Sequence, residues 1–514
     1  MGGLMGKALA IGKTDGDGSP DLPNLTGGPS PRERVRPSGE SMRLSICREV
    51  NGPDWTVTPS VEFVVAATLS AVLLEFLAGL LYGTMSLRLL GLVAVLSAPA
   101  AALFGALTPK WEQSRRLEAW ILLLVCGHLV TLIQIHQNLR WHSDWTTMSD
   151  DSYYVQNGAL FAKTIARADD WAGYLEAYKS LPKTSHNGYI VVLGHLFSQL
   201  EDDRHIFIRA ALSLNLLALV VLAAAVANAA RVSSANSRRF SLIWCVAALE
   251  GFYLATLVLK DVVLLLGLYL AAWALVRIST AGLRIGLFLL LCAGTVCIFF
   301  FRTVYSPLPF AAGLLALLFA RRPHSVRRSL SVIIASLVLA GLPALMQRSV
   351  WYERFVGGGS SYKLTSIDAR KGGGGAAVFG VPYVGRLLYA FVSPVPPTPK
   401  YWNEDLRIVE VVRGTGTIAI LILLGQIIWA KAWKNLKGDP ELFAFVILSV
   451  LFLLTGAYFA PSLESRYKTG MVFGVIALYG GARLRNPSRA VALSGSRSAH
   501  RKLVKRSAGV PPFK

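Results

Sequence analysis

The polar segment from Asn138 to His205 lies between long apolar stretches and contains the run SDDSYY, from Ser149 to Tyr154. A carboxylate at such a place can serve as a general base that takes the proton of an attacking hydroxyl. Because Asp150 and Asp151 are adjacent, their side chains diverge by about 100° on a helix. The two carboxylates therefore do not easily bind the same atom. One of them is therefore the candidate base, while its neighbour holds the turn or a metal. The structural alternative is a helix that Ser149 caps, with both acids in its first turn, where they suit the helix dipole.

Cationic residues recur where apolar runs end. Lys260 and Asp261 separate two apolar runs with almost no loop, Arg302 follows the next run, and Arg466 lies in the polar segment from Glu464 to Lys468. A charge at the centre of a membrane helix costs about 2.5–3.5 kcal/mol on insertion scales, so we expect Lys260 and Asp261 at the membrane boundary. Several cations at one boundary favour a phosphate-binding site. The alternative for Lys260 is an ion pair at the interface with a snorkelling lysine.

Two helices are predicted within the same polar segment. The first runs from Asp150 to Ala168, and its apolar face indicates a helix that lies along the membrane surface. That face consists of Tyr154, Gly158, Phe161 and Ile165. The second follows the run HNGY (His186 to Tyr189) and is typical of another surface-lying helix. His186 is either a catalytic residue or an ordinary surface histidine.

The rest of the chain must position these residues, and its composition is that of a membrane protein. Of 514 residues, 53% are hydrophobic and only 16% are charged, and the mean hydropathy is +0.48. Apolar stretches of about 20 residues recur, each long enough to cross a hydrocarbon core. The sequence therefore predicts an all-α polytopic transmembrane bundle of about twelve spans. The predicted spans are Val61 to Tyr82, Leu87 to Leu107, Leu117 to Gln137, Ile206 to Ala230, Phe240 to Leu259, Val262 to Val276, Ile285 to Phe301, Val304 to Ala320, Leu330 to Met346, Ile408 to Ala430, Leu442 to Phe459 and Met471 to Gly481.

The formal charge of +22 indicates membrane topology and not nucleic-acid binding, because Lys and Arg concentrate in short loops and in both tails. Residues 1–58 are predicted to form a disordered cytoplasmic tail, 59–484 the transmembrane domain, and 485–514 a basic cytoplasmic tail. Both termini are then cytoplasmic, and loops 138–205 and 347–407 lie outside. The five cysteines show no disulfide or metal-ligand spacing.

Three ionisable residues, Glu75, His128 and Glu250, fall inside predicted spans, where such residues are functional candidates. Interhelical hydrogen bonding is the favoured interpretation for Glu75 and His128. No phosphate-binding loop, dinucleotide fingerprint, zinc signature or nucleophile elbow is present in the sequence.

Taken together, these motifs resemble the C-type (GT-C) polytopic glycosyltransferases, which include protein mannosyltransferases and lipid A aminoarabinose transferases. The resemblance rests on the run from Asp150 to Tyr154, on HNGY, on Lys260-Asp261 and on Arg466-Tyr467. It implies an inverting transfer of sugar from a polyprenyl-phosphate carrier, with Asp150 or Asp151 as general base. The implied phosphate ligands are Lys260, Arg302 and Arg466, and the implied substrate-binding residues are Tyr153, Tyr154, His186, Asp261 and Tyr467. No cofactor is certain, and a divalent metal is left open.

The expected partners are a polyprenyl-phosphate sugar donor, a glycan or lipid-linked acceptor, and membrane lipids, without nucleic acid. The expected location is the bacterial inner membrane, with the chemistry on its outer face. A polymerase that joins polysaccharide repeat units is the alternative within the enzyme class. A transporter or flippase of lipid-linked saccharides is the alternative outside it. Transporters tend to show internal repeats and polar groups near the membrane midplane. Here the polar residues concentrate at one boundary, which favours an enzyme.

Overall fold

The computed structural model describes residues 59–142, 145–146, 149–181, 187–302, 305–319, 408–459 and 466–485. Within these ranges every regular element is a helix. The helices are α1 (Val61–Tyr82), α2 (Leu87–Leu107), α3 (Gln113–His142), α4 (Ser149–Ile165), α5 (Trp171–Ser180), α6 (Asn187–Phe197), α7 (Arg204–Ala230), α8 (Ser237–Ala247), α9 (Leu249–Ala255), α10 (Asp261–Ala281), α11 (Ile285–Arg302), α12 (Pro307–Phe319), α13 (Ile408–Trp429), α14 (Pro440–Phe459) and α15 (Arg466–Arg483). The predicted tails, the loop 347–407, the ninth predicted span and His186 lie outside the described residues.

Seven of these helices are long and apolar enough to cross a membrane, namely α1, α2, α3, α7, α10, α11 and α13. The helices α6, α12 and α14 carry shorter apolar stretches. The chain is therefore an all-helical, multi-pass membrane protein. The total of twelve spans stays a prediction.

Where the sequence supplies clear capping residues, the predicted helix ends agree with the structure. The Ser60 hydroxyl accepts a hydrogen bond from the Phe63 N–H at 3.3 Å, and α1 ends at Gly83 in the left-handed conformation, with φ +68°. The Ser86 hydroxyl accepts the Leu89 N–H at 3.1 Å and starts α2. Both spans have the predicted bounds, Val61–Tyr82 and Leu87–Leu107.

The predicted span from Phe240 to Leu259 is not one continuous helix. The chain forms α8 and then α9, which meet at Ala248, and residues 256–260 are not helical. At the end of α9 the Thr256 N–H donates to the Phe252 and Tyr253 carbonyls at 3.1 and 3.0 Å, and the Thr256 hydroxyl donates to the Tyr253 carbonyl at 2.7 Å, so the helix closes in a tightened last turn. The break places Lys260 immediately before α10.

The centre of the bundle is formed by α7 and α10, which are buried over 94% and 83% of their apolar stretches, against 28% for α1. The neighbouring α11 approaches α10 closely at two glycines. A Cβ on Gly294 would lie 2.7 Å from the Gly267 carbonyl oxygen, so a larger residue there would push the helices apart.

Charged residues mark both ends of α10. Asp261 is its first residue, and Arg277 lies 16 residues later, about 24 Å along the axis at 1.5 Å per residue. The Arg277 Nε is 3.0 Å from the Glu441 Oε1, at the start of α14. The nearby Asp439 carboxylate pairs with Arg231 at 3.3 Å and with Arg485 at 3.0 Å. This second end, formed by Arg231, Arg277, Asp439, Glu441 and Arg485, is called the Glu441 network.

Candidate functional site

Asp151 lies in the first turn of α4 and is 2% exposed. Tyr154, three residues later on the same side of the helix, is also buried, and its ring meets the Tyr189 ring edge-on at 5.2 Å. The predicted apolar face of this helix packs against protein, since Phe161 is buried and a Cβ on Gly158 would lie 2.9 Å from the Phe197 ring. It packs against α6, so α4 and α6 form one unit. The position of α4 along the membrane surface stays a prediction.

Tyr189 connects this unit to the membrane helices. Its fully buried ring meets Phe301 of α11 edge-on at 5.7 Å, and its hydroxyl donates to the Asn215 Oδ1 of α7 at 3.4 Å. Burial raises the pKa of Tyr189, and the Asp151 and Asp261 carboxylates act in the same direction. The Tyr154 ring contacts both the Tyr189 ring and the Lys260 ammonium, so it connects Tyr189 to the helix turn of Asp151 and to the start of α10, although Asp151 and Asp261 are 110 positions apart in the sequence.

Gly188, in the predicted HNGY motif, permits that approach. A Cβ at this position would lie 2.2 Å from the Phe300 carbonyl oxygen and 2.7 Å from its carbonyl carbon. Both atoms belong to the backbone of α11 and cannot turn away. The motif thus has a packing role that its spacing did not reveal.

Lys260 and Asp261 complete the arrangement, with exposures of 2% and 1%. The Lys260 Nζ lies 5.8 Å from the centre of the Tyr154 ring, a cation–π distance. The Arg302 Nη1 lies 3.5 Å from the Asp261 Oδ1, and the Arg302 guanidinium lies 5.4 Å from the Tyr305 ring. Asp151, Tyr154, Tyr189, Lys260, Asp261 and Arg302 form what we call the Asp151 cluster.

The Asp151 cluster contains two carboxylates and two cations, so its formal charges balance. Buried charges are costly unless they are paired and hydrogen-bonded, which makes a balanced set the stable arrangement. Tyr153 packs its ring against Tyr154 at 5.7 Å and lies beside the cluster. The predicted residues Asp151, Tyr153, Tyr154, Lys260, Asp261 and Arg302 are thus gathered at one end of α10.

For the remaining predicted site residues the structure says less. Asp150 follows the first residue of α4, where helical geometry turns it about 100° away from Asp151. Arg466 and Tyr467 are the first two residues of α15. The side chains of these three residues and all of His186 lie outside the described part of the chain. Among the described residues, no group of three or more His, Cys, Asp and Glu side chains could hold a metal ion.

A second buried set of charges surrounds Glu250. The Arg413 Nε and Nη2 donate to its two carboxylate oxygens at 3.1 and 2.9 Å, and the Arg413 guanidinium lies 4.3 Å from the Tyr253 ring. The Lys468 Nζ donates to the Thr417 hydroxyl at 2.7 Å. Lys468 precedes the last predicted span, and burial lowers its pKa to about 8. These five residues form the Glu250 cluster.

The sequence analysis did not identify Arg413, although a signal existed: Arg413 is the one cation inside the predicted span Ile408 to Ala430, where ionisable residues are functional candidates.

The predicted hydrogen-bonding role of Glu75 is confirmed. Its Oε1 accepts from the Arg209 Nε at 2.9 Å, and its Oε2 accepts from the Ser213 hydroxyl at 2.9 Å. His128 lines the same small cavity, whose volume of about 20 Å³ is room for about one water. This set joins α1, α3 and α7 and accounts for these charges structurally.

No protein-family model, curated protein or solved structure matches this chain.

Proposed function

We propose that the protein is a membrane glycosyltransferase of GT-C-like architecture. It would move a sugar from a polyprenyl-phosphate donor to a lipid-linked or polysaccharide acceptor on the outer face of the inner membrane, with inversion at the anomeric carbon. The observation that carries the proposal is the convergence of Asp151, Lys260, Asp261 and Arg302 around Tyr154 and Tyr189. A candidate base on α4 and two candidate phosphate ligands, one on α11 and one in the break before α10, share one end of the bundle.

In the proposed reaction, Asp151 takes the proton of the acceptor hydroxyl as that oxygen bonds to the anomeric carbon. The bond between the anomeric carbon and the phosphate oxygen breaks, and the electron pair leaves on the carrier phosphate. Lys260 and Arg302 stabilise the negative charge that develops there. Asp261 orients Arg302 through the 3.5 Å contact. Asp151 is preferred over Asp150 as the base because it is buried beside Tyr154 and Tyr189.

Both Asp151 and Lys260 are 2% exposed, so the proposal requires the unit of α4 and α6 to move away from α10 and α11 when substrates enter. The contacts that would open are mostly aromatic and edge-on, Tyr154 to Tyr189 and Tyr189 to Phe301. Each such pair is worth about 0.5–1.5 kcal/mol beyond its area burial. A donor phosphate that binds both cations would offset this loss.

A transporter or flippase of lipid-linked saccharides is the second candidate, and one observation favours it. The helix predicted from Phe240 to Leu259 is broken into α8 and α9, with Glu250 beside the break and Lys260 after it. Broken helices with polar groups are typical of transporter binding sites.

Two assays on the purified protein in proteoliposomes separate the candidates. The first measures transfer of radiolabelled sugar from a polyprenyl-phosphate sugar to an added glycan acceptor. The second measures the accessibility of a fluorescent lipid-linked saccharide to a quencher outside the vesicle. Transfer that stops in Asp151→Asn supports the glycosyltransferase. Translocation of the lipid without transfer would refute it. Products longer by whole repeat units, formed when a lipid-linked repeat unit replaces the sugar donor, would identify the polymerase instead.

A further inference from the structure

A cavity of about 560 Å³ lies between α8, α13 and α15, away from the Asp151 cluster. Its polar lining residues are Arg239, Gln426, Tyr479 and Arg483, and its apolar lining residues include Leu242 and Ile243. The cavity is open at the side of the bundle, where Leu242 is 48% exposed.

The polar and apolar walls are ordered along the helix axes. Arg239 lies near the start of α8 (Ser237–Ala247), and Leu242 and Ile243 follow it on the same face, one turn deeper. Arg483 is the last residue of α15, and Tyr479 lies one turn deeper. One turn is about 5.4 Å. The cations therefore lie at the end of the bundle, with apolar and aromatic side chains directly beneath them.

Arg239 and Arg483 differ from the nearby arginines Arg238 and Arg485, which form ion pairs with carboxylates. Arg238 pairs with Glu118 at 3.1 Å, and Arg485 pairs with Asp439 at 3.0 Å. Within the described ranges no carboxylate pairs with Arg239 or Arg483, and both side chains are exposed. The cavity thus carries two cations whose charge no described carboxylate neutralises.

We propose that this cavity binds one anionic phospholipid, with the phosphate between Arg239 and Arg483 and an acyl chain along Leu242 and Ile243. Guanidinium groups bind phosphate oxygens through paired hydrogen bonds. The apolar wall beneath them favours a lipid over a free phosphate ion, which gains nothing from that surface. Basic pockets between membrane helices on the cytoplasmic side are known to bind lipid headgroups, and the positive-inside pattern predicts that this end faces the cytoplasm. The site is independent of the proposed sugar transfer.

Native mass spectrometry of the full chain in a neutral detergent tests this site. The protein is titrated with dioleoyl phosphatidylglycerol and, separately, with dioleoyl phosphatidylcholine. We expect one tightly retained phosphatidylglycerol and no comparable retention of phosphatidylcholine. The double variant Arg239→Gln/Arg483→Gln should bind phosphatidylglycerol at least tenfold more weakly, while Arg239→Lys/Arg483→Lys, which keeps both charges, should retain most of the affinity.

The matched control is Arg284→Gln/Lys434→Gln. It removes the same charge from exposed residues that do not line the cavity. Its affinity should stay within about twofold of the unsubstituted protein. Equal loss in the control would show that only the overall positive charge matters, and equal retention of phosphatidylcholine would show a merely apolar groove. Displacement of the lipid by an equal concentration of glycerol 3-phosphate would identify a site for a soluble phosphate. Each of these three results overturns the proposal. Because both arginines are exposed, the Arg239→Gln/Arg483→Gln variant should keep the thermal midpoint of the unsubstituted protein. The Arg239→Lys/Arg483→Lys variant allows the same comparison of lipid affinities with both charges intact.

Discussion

Asp151→Asn removes one carboxylate charge from a buried, balanced cluster and leaves the size of the side chain unchanged. If Asp151 is the general base, its loss should slow transfer by about 10²–10⁴-fold. At 1.36 kcal/mol for each factor of ten, this is about 2.7–5.4 kcal/mol of transition-state stabilisation. The substitution also leaves Lys260 and Arg302 with one carboxylate between them, and breaking a buried ion pair costs about 3–5 kcal/mol of stability. Because the two energies are of similar size, total activity alone does not separate a base from a structural charge.

Two control variants make the separation. Asp261→Asn removes the same formal charge from the same cluster but spares the proposed base, and Asp150→Asn removes the neighbouring charge in the same helix turn. Initial rates should be measured at saturating donor, divided by the amount of monodisperse folded protein, and compared with thermal midpoints. We expect kcat to fall 10²–10⁴-fold for Asp151→Asn. For Asp261→Asn the thermal midpoint and the donor KM should change, while kcat falls less than tenfold. Equal kcat losses in Asp151→Asn and Asp261→Asn would refute the base assignment, and so would unchanged transfer in Asp151→Asn.

Four other substitutions have defined outcomes. Lys260→Ala should raise the donor KM more than Lys260→Arg does, because a cation near Tyr154 remains in the latter; equal donor KM values in steady-state kinetics would leave Lys260 as an interface anchor. Gly188→Ala should lower the thermal midpoint sharply, because its methyl group would meet the Phe300 carbonyl; an unchanged melting curve would contradict the close approach. Glu250→Gln should cost about 3–5 kcal/mol in a reversible unfolding titration, and adding Arg413→Met should restore much of it, since the apolar Met removes the lone buried cation. Lys468 has its pKa lowered to about 8 by burial, so the unfolded chain binds more protons at this position between pH 8 and its ordinary value of 10.5. The free energy of unfolding should therefore rise with pH across that window, by up to about 3 kcal/mol, and Lys468→Met, measured by the same titration, should lack this rise.

The agreement between sequence and structure depends on whether the deciding interaction is local. The ends of α1 and α2 were predictable because Ser60, Gly83 and Ser86 are caps that act within a few residues. The break at Ala248 was not, because residues 244–253 contain no proline and their one charged residue, Glu250, does not interrupt the apolar run. The predicted eighth span, Val304 to Ala320, is shorter in the structure, where α12 starts at Pro307, a residue suited to a first helical turn.

The same distinction holds for the site. The residue types of Asp151, Lys260 and Arg302 were visible as charges beside apolar runs. Their meeting around Tyr154 and Tyr189 depends on how α4 and α6 pack against α10 and α11, which is a long-range property. Tyr189 belongs to the HNGY motif that the sequence analysis identified. That its ring connects α4 to α11 could be recognised only in the packed structure.

The two charged ends of α10 bear on which face of the membrane carries the proposed chemistry. The Asp151 cluster lies at its first residue, and Arg277 of the Glu441 network lies about 24 Å further along, close to the thickness of a hydrocarbon core of about 30 Å. The second end also carries the exposed cations Arg238, Arg239 and Arg284. Short loops rich in Lys and Arg stay in the cytoplasm, so this end is predicted to be cytoplasmic. The charge-balanced Asp151 cluster is then predicted to face outward, where the proposed carrier phosphate in the lipid and the proposed acceptor in water would meet.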